Sequence, residues 1–170
     1  MRADIDNSDS LQSIVGARGL SEYFPGNCPI IISAPHGGLE MPLDIPDRTH
    51  GCLVSDLFSL ELATEIANAL SRMLPAGVRP HLIVSKLKRR KMDANRNKQD
   101  AAHGDPIAEQ VWEDYHGFIE EAIRRSVSDF GFAQGFDVHG QQHRGATELG
   151  YLLNGAMLSN SDEGISSNEG

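Results

Sequence analysis

Cys28-Pro29-Ile30-Ile31-Ile32-Ser33-Ala34-Pro35-His36-Gly37-Gly38 decides how this chain folds. Residues 28–33 form a β-branched apolar run without polar alternation, the pattern of a strand buried on both faces. Pro35 and two glycines then stop it abruptly, with a histidine at the stop. Working outward, residues 55–74 place Leu60, Ala63, Ile66, Leu70 and Leu74 at helical spacing, and Pro75 and Gly77 end that helix. Residues 81–87 read as a second strand. A second helix opens at Asp105 as N-cap with Pro106 at its first position, and its apolar stripe is Ile107, Val111, Tyr115, Phe118, Ala122 and Ile123. Residues 131–138 and 149–153 read as further strands. Strands separated by helices of this length require parallel crossovers, so the expected class is α/β with a largely parallel sheet.

The chain has 170 residues, enough for one ordinary domain with a real core. The expected organisation is a flexible lead-in over 1–20, one α/β domain over 21–158, and a disordered polar tail over 159–170, where Ser, Asn, Glu and Gly replace apolar residues. A formal charge of −9 argues against a nucleic-acid partner. The longest apolar run, at residues 29–32, is far too short for a membrane span, and the polar, acidic start does not resemble a secretory signal. Cys28 and Cys52 lack metal or redox spacing and are expected to be reduced, which makes the cytoplasm the expected compartment.

Three patches that follow strands carry the chemistry. The first is Ala34-Pro35-His36-Gly37-Gly38-Leu39-Glu40, the second Asp93-Ala94-Asn95-Arg96, and the third Asp137-Val138-His139-Gly140. In open α/β sheets ligands collect at the carboxyl ends of strands, where all three patches fall. Two imidazoles and a carboxylate are a ligand set that zinc favours in hydrolytic sites. His36, Glu40 and His139 are the expected ligands, with Glu40 brought back to the ion by a tight Gly37-Gly38 turn. Asp93 is suited to fix the tautomer of a metal-bound histidine, and Asp137 accompanies His139 on the same side of its strand. Arg96 offers a bidentate fork for a carboxylate, assisted by the Asn95 amide. The basic run Lys86, Lys88, Arg89, Arg90 and Lys91 would attract an acidic substrate. His103 and His116 read instead as structural residues, His143 as a substrate-side or surface residue, and His50 and His81 have no supporting context.

These residues resemble the N-formylglutamate amidohydrolase family, among the zinc exopeptidase-like hydrolases that include aspartoacylases and zinc carboxypeptidases. Residues 31–42 resemble its P-H-S/G-G-x-E-x-P stretch, residues 89–96 its R-x-x-x-D-x-N-R segment, and residues 136–140 its D-x-H motif. The resemblance spans residues 29–155. It implies a mixed α/β, hydrolase-like sheet flanked by helices, with zinc on His36, Glu40 and His139 and with Asp93 orienting His36. Asn95 and Arg96, together with Arg89 of the same segment, would bind the substrate's carboxylate. The implied substrate is a small N-acyl amino acid such as N-formyl-L-glutamate. Members of the family run on past the third motif to a glutamate that acts as general base. This chain is therefore expected to be shortened at its C-terminus, with Glu148 the only candidate for that role. The alternatives are a non-catalytic relative that binds metal or an acidic ligand, and a carboxypeptidase-like hydrolase.

Overall fold

The computed structural model describes residues 12–141, 145, 147 and 148. The chain divides into two compact units, residues 1–140 and 141–170. The first unit is built on a five-stranded sheet of order β1-β2-β4-β3-β5, where β1 is Ile14–Val15, β2 Ser21–Phe24, β3 Ile30–Ala34, β4 His81–Ser85 and β5 Gln134–Asp137. β3 runs parallel to both β4 and β5, with Ile32 beside Leu82 and Phe136. β2 pairs antiparallel with β4 and β1 antiparallel with β2, so the sheet is mixed.

Alternation along the two central strands builds three layers. Ile32, Ala34, Leu82 and Val84 face helix α1, Ser59–Met73, and pack on its Ala63 and Ala67. Ile31 and Ile83 point the other way, into a cluster with Tyr23 and with Val111, Tyr115 and Ala122 of helix α3, Pro106–Phe130. Because β3 is covered on both sides, its run had to be apolar throughout.

The N-cap of α3 follows the sequence reading, and its C-cap corrects it. Asp105 accepts hydrogen bonds from the Ile107 and Ala108 amides, and Gly131 closes the helix in the left-handed region at φ 80°. That closure moves the start of the last parallel strand from 131 to Gln134. α1 likewise begins at Ser59 rather than 55, after Phe58 in a left-handed conformation at φ 66°. The second strand stops at Ser85, because Leu87 pairs with Glu40 instead.

β2, the short helix α2, Lys98–Ala102, and the 3-10 turn Ala17–Gly19 have no counterpart in the sequence reading, and β1 falls within the stretch expected to be a flexible lead-in. The strand expected at 149–153 lies outside the described residues. No helix among the described residues is long and apolar enough to cross a membrane. Cys28 and Cys52 are free thiols, one buried and one exposed.

Candidate metal centre

The chain turns off β3 two residues before His36, so the imidazole lies at the carboxyl end of the strand and is wholly buried. Gly37 and Gly38 serve packing there. A Cβ on Gly37 would stand 2.3 Å from the Leu60 amide nitrogen, and one on Gly38 would stand 2.2 Å from the Lys86 carbonyl carbon. The glycines thus let the loop lie directly on the start of α1 and on the chain after β4.

This packing fixes the fate of Glu40. Its amide donates to the Lys86 carbonyl at 2.9 Å and its carbonyl accepts from the Lys88 amide at 3.0 Å. A backbone held in that register does not fold back to His36, and Glu40 stands outside the group of ligand atoms that converge with His36 and His139. The carboxylate found there belongs to Asp56. Its amide donates to the His36 carbonyl at 3.0 Å, which seats it between β3 and α1. Ligand atoms of His36, Asp56 and His139 all lie within 4.8 Å of one another, and this group could hold a metal ion.

Each histidine is held from behind by its own carboxylate. His36 Nε2 lies 2.7 Å from Asp93 Oδ1, and His139 Nε2 lies 2.9 Å from Asp137 Oδ2. An ionised carboxylate only accepts hydrogen bonds, so His36 carries its proton on Nε2, while His139, with a carboxylate oxygen at each ring nitrogen, donates from both when no metal is bound. Both Nδ1 atoms then face Asp56 Oδ2, from 3.6 Å for His36 and 2.8 Å for His139. Asp93 and Asp137 each stand at Nε2 of one of the two histidines, on the side away from Asp56.

The electrostatics agree with this assignment. Burial by itself would raise the Asp93 carboxyl, but hydrogen bonds from His36 and Arg89 hold it far below the usual carboxylate range. Asp137 is pulled down in the same way, against burial, by His139 and Ser33. The His139 imidazole is pushed up by its hydrogen bond to Asp137, against burial, with Asp56 adding to the rise.

One atom fits a cation with particular clarity. His36 Nδ1 is buried and has no hydrogen-bond partner, which is costly for a polar atom with a bare lone pair. Ligands ~2.1 Å from a tetrahedral zinc stand ~3.4 Å apart. The 3.6 Å between His36 Nδ1 and Asp56 Oδ2 is close to that spacing.

The remaining expected residues are distributed unevenly. Arg89 points into the cluster, with Nε donating to Asp93 Oδ2 at 3.0 Å and a guanidinium nitrogen 3.6 Å from Asp56 Oδ1. It balances the carboxylates rather than standing open for a substrate. Asn95 touches the cluster from the exposed side, its amide nitrogen 2.9 Å from His139 Nε2. Arg96 is exposed, and among the described residues only its backbone makes hydrogen bonds: its amide donates to the Asp93 carbonyl and its carbonyl accepts from the Trp112 indole. Glu148 belongs to the second unit.

Two residues escaped the sequence reading. Asp56 stands just ahead of a helix, where an acidic residue ordinarily reads as a cap. Arg48 is buried in a stretch without periodicity. It donates to the Cys52 and Arg89 carbonyls at 2.9 and 3.2 Å and lies 3.6 Å from Asp93 Oδ2. No protein-family model matches the chain, and no curated protein and no solved structure matches it either.

Proposed function

We propose that this protein is a zinc-dependent amidohydrolase that cleaves a small N-acyl amino acid such as N-formyl-L-glutamate to formate and glutamate. One observation carries the reading: two Nδ1 atoms converge on the Asp56 carboxylate while each ring is held by a second carboxylate at Nε2. His36, Asp56 and His139 would hold the zinc, with Asp56 in the place expected of Glu40. When bound, zinc supplies a Lewis acid and a water of lowered pKa, ~7. Asp93 and Asp137 would keep the proton on Nε2, so that each Nδ1 offers its lone pair to the metal, which at His139 takes the place of the proton shared with Asp56. Arg89 and Arg48 offset the negative charge that gathers behind the cluster.

Asn95, on the exposed side of the cluster, and the exposed Arg96 that follows it would take the carboxylate of the substrate, as the resemblance implies. Glu148 is the candidate general base, and the cytoplasm the compartment we assign. Formate release from N-formylglutamate tests the reading. We expect turnover that a chelator abolishes, zinc restores and His139→Ala lacks. Stoichiometric zinc with no turnover would mark a metal-binding relative without hydrolysis. Release of C-terminal amino acids from peptides in place of formate would mark a carboxypeptidase.

A further inference from the structure

The two chain segments that supply Asp56 and Arg89 line an open, shallow pocket of about 270 Å³, formed by Leu53, Val54, Ser55, Leu57, Lys88 and Arg90. The lining residues are the immediate neighbours of the cluster residues: Ser55 and Leu57 flank Asp56, and Lys88 and Arg90 flank Arg89. We propose that this pocket binds a small aliphatic carboxylate, its acid head on Lys88 and Arg90 and its apolar body on Leu53, Val54 and Leu57.

Three features support that ligand. The first is the state of the cations. Lys86 pairs with Glu22, Lys91 with Asp47, and Arg89 with Asp93, so most of the basic run is already answered by acids of the chain. Among the described residues the Arg90 side chain makes one ion pair, solvent-exposed and 3.6 Å from Asp47, the kind that contributes little. The half-buried Lys88 side chain makes no ion pair and no hydrogen bond among the described residues. A partly desolvated ammonium without a counter-charge gains from any anion that reaches it.

The second feature is the apolar wall. Val54 is 67% exposed and Leu57 60%, although both line a concavity. A ligand with hydrocarbon behind its acid head would cover them, whereas a bare inorganic anion would not. The third is Ser55. It is buried, and its oxygen accepts from the Arg89 amide at 3.3 Å, which leaves the hydroxyl proton free to donate to a carboxylate. At this volume the pocket suits a molecule of a few carbons rather than a cofactor. The same chemistry is offered by a free short-chain acid and by the acid end of an N-acyl amino acid.

The test measures hexanoate binding to the full chain by calorimetry, with hexanol and acetate as controls for the acid head and the apolar body. Saturable hexanoate binding is expected, with both controls binding at least about tenfold more weakly. Lys88→Gln should weaken hexanoate by about tenfold or more, the order of one lost charge-assisted hydrogen bond. Leu57→Asp, a change at an exposed position, should weaken it as well by placing a like charge at the wall. N-acetylleucine separates the two sources: tighter binding than hexanoate assigns the pocket to the acid end of an amide, and weaker binding to a free acid. Hexanoate affinity unchanged in Lys88→Gln, or no saturable binding, overturns the proposal. Zinc content measured on the same samples keeps this outcome separate from that of the metal reading, since none of the six lining residues is among the proposed ligands.

Discussion

The two carboxylate–histidine pairs of the cluster have the same connectivity and opposite surroundings. His36 and Asp93 are both 0% exposed, whereas His139 and Asp137 are 36% and 44% exposed. The deep pair is braced by Arg89 and Arg48 and by the Asn95 amide, which donates to Asp93 Oδ1 at 3.1 Å. The shallow pair leans on Ser33 and on the Asn95 side chain, both of which hydrogen-bond Asp137. Removing a partner from a buried, charged network strands the others without water, while removing one at the surface lets water replace it. The deep half thus belongs to the fold as much as to the site, and the shallow half belongs to the site alone.

The largest effect should come from breaking the deep half. Asp93→Ala leaves His36 Nε2–H and two guanidinium groups without their carboxylate, and should destabilise the fold by about 3–5 kcal/mol in urea unfolding. A loss below ~1 kcal/mol would erase the distinction between the two halves.

A third imidazole sharpens the comparison by showing burial without a carboxylate. His81 is buried and its Nδ1 accepts from the Gly26 amide at 3.0 Å, which requires the neutral ring. Burial, reinforced by Arg125, pushes its pKa down to about 4. The unfolded chain therefore binds this proton first. The stability from neutral His81 is whole above about pH 6.5 and is lost as the pH falls towards 4, about 3 kcal/mol in all. Histidine NMR titration should find His81 far below the ordinary value and His139, in metal-free protein, above it. The reverse order would contradict the roles given to burial and to Asp137.

Breaking the shallow half should spare the fold. Asp137→Ala is expected to cost stability of only ~1 kcal/mol or less, yet to weaken metal binding 10–100-fold through loss of the orienting hydrogen bond, on the order seen for such partners. Equal losses of stability in Asp137→Ala and Asp93→Ala would remove the basis of the comparison. The smallest effect belongs to Glu40→Gln, which should change metal affinity by less than about twofold because the carboxylate lies outside the cluster.

Much of this arrangement was legible in the sequence where one local signal was enough. The 30–34 run needed only its composition to be placed as a doubly covered strand, and α3 announced its start through Asp105 and Pro106, whereas its closing Gly131 was read as the first residue of the next strand. His36 and His139 could be paired because each closes a strand, and the parallel register that sets Ser33 between Ile83 and Asp137 brings those strand ends together. Where tertiary contacts chose among equivalent residues, the sequence was silent. Glu40 and Asp56 are both acids in loops after β3. A backbone bridge to Leu87 takes Glu40 away, while a hydrogen bond to the His36 carbonyl brings Asp56 in. β2 was hidden because Tyr23 and Phe24 run straight into the Pro25-Gly26 turn, and its antiparallel pairing with β4 is what makes the sheet mixed.

The most direct test of the account is a zinc titration by calorimetry on four proteins: the natural chain, Asp56→Asn, Glu40→Gln and His36→Gln. The account predicts about one zinc per chain for the natural protein and for Glu40→Gln, and loss of stoichiometric binding in Asp56→Asn and His36→Gln, each of which lacks one of three protein ligands. Full binding by Asp56→Asn together with its loss in Glu40→Gln would contradict the account and return Glu40 to the ligand set.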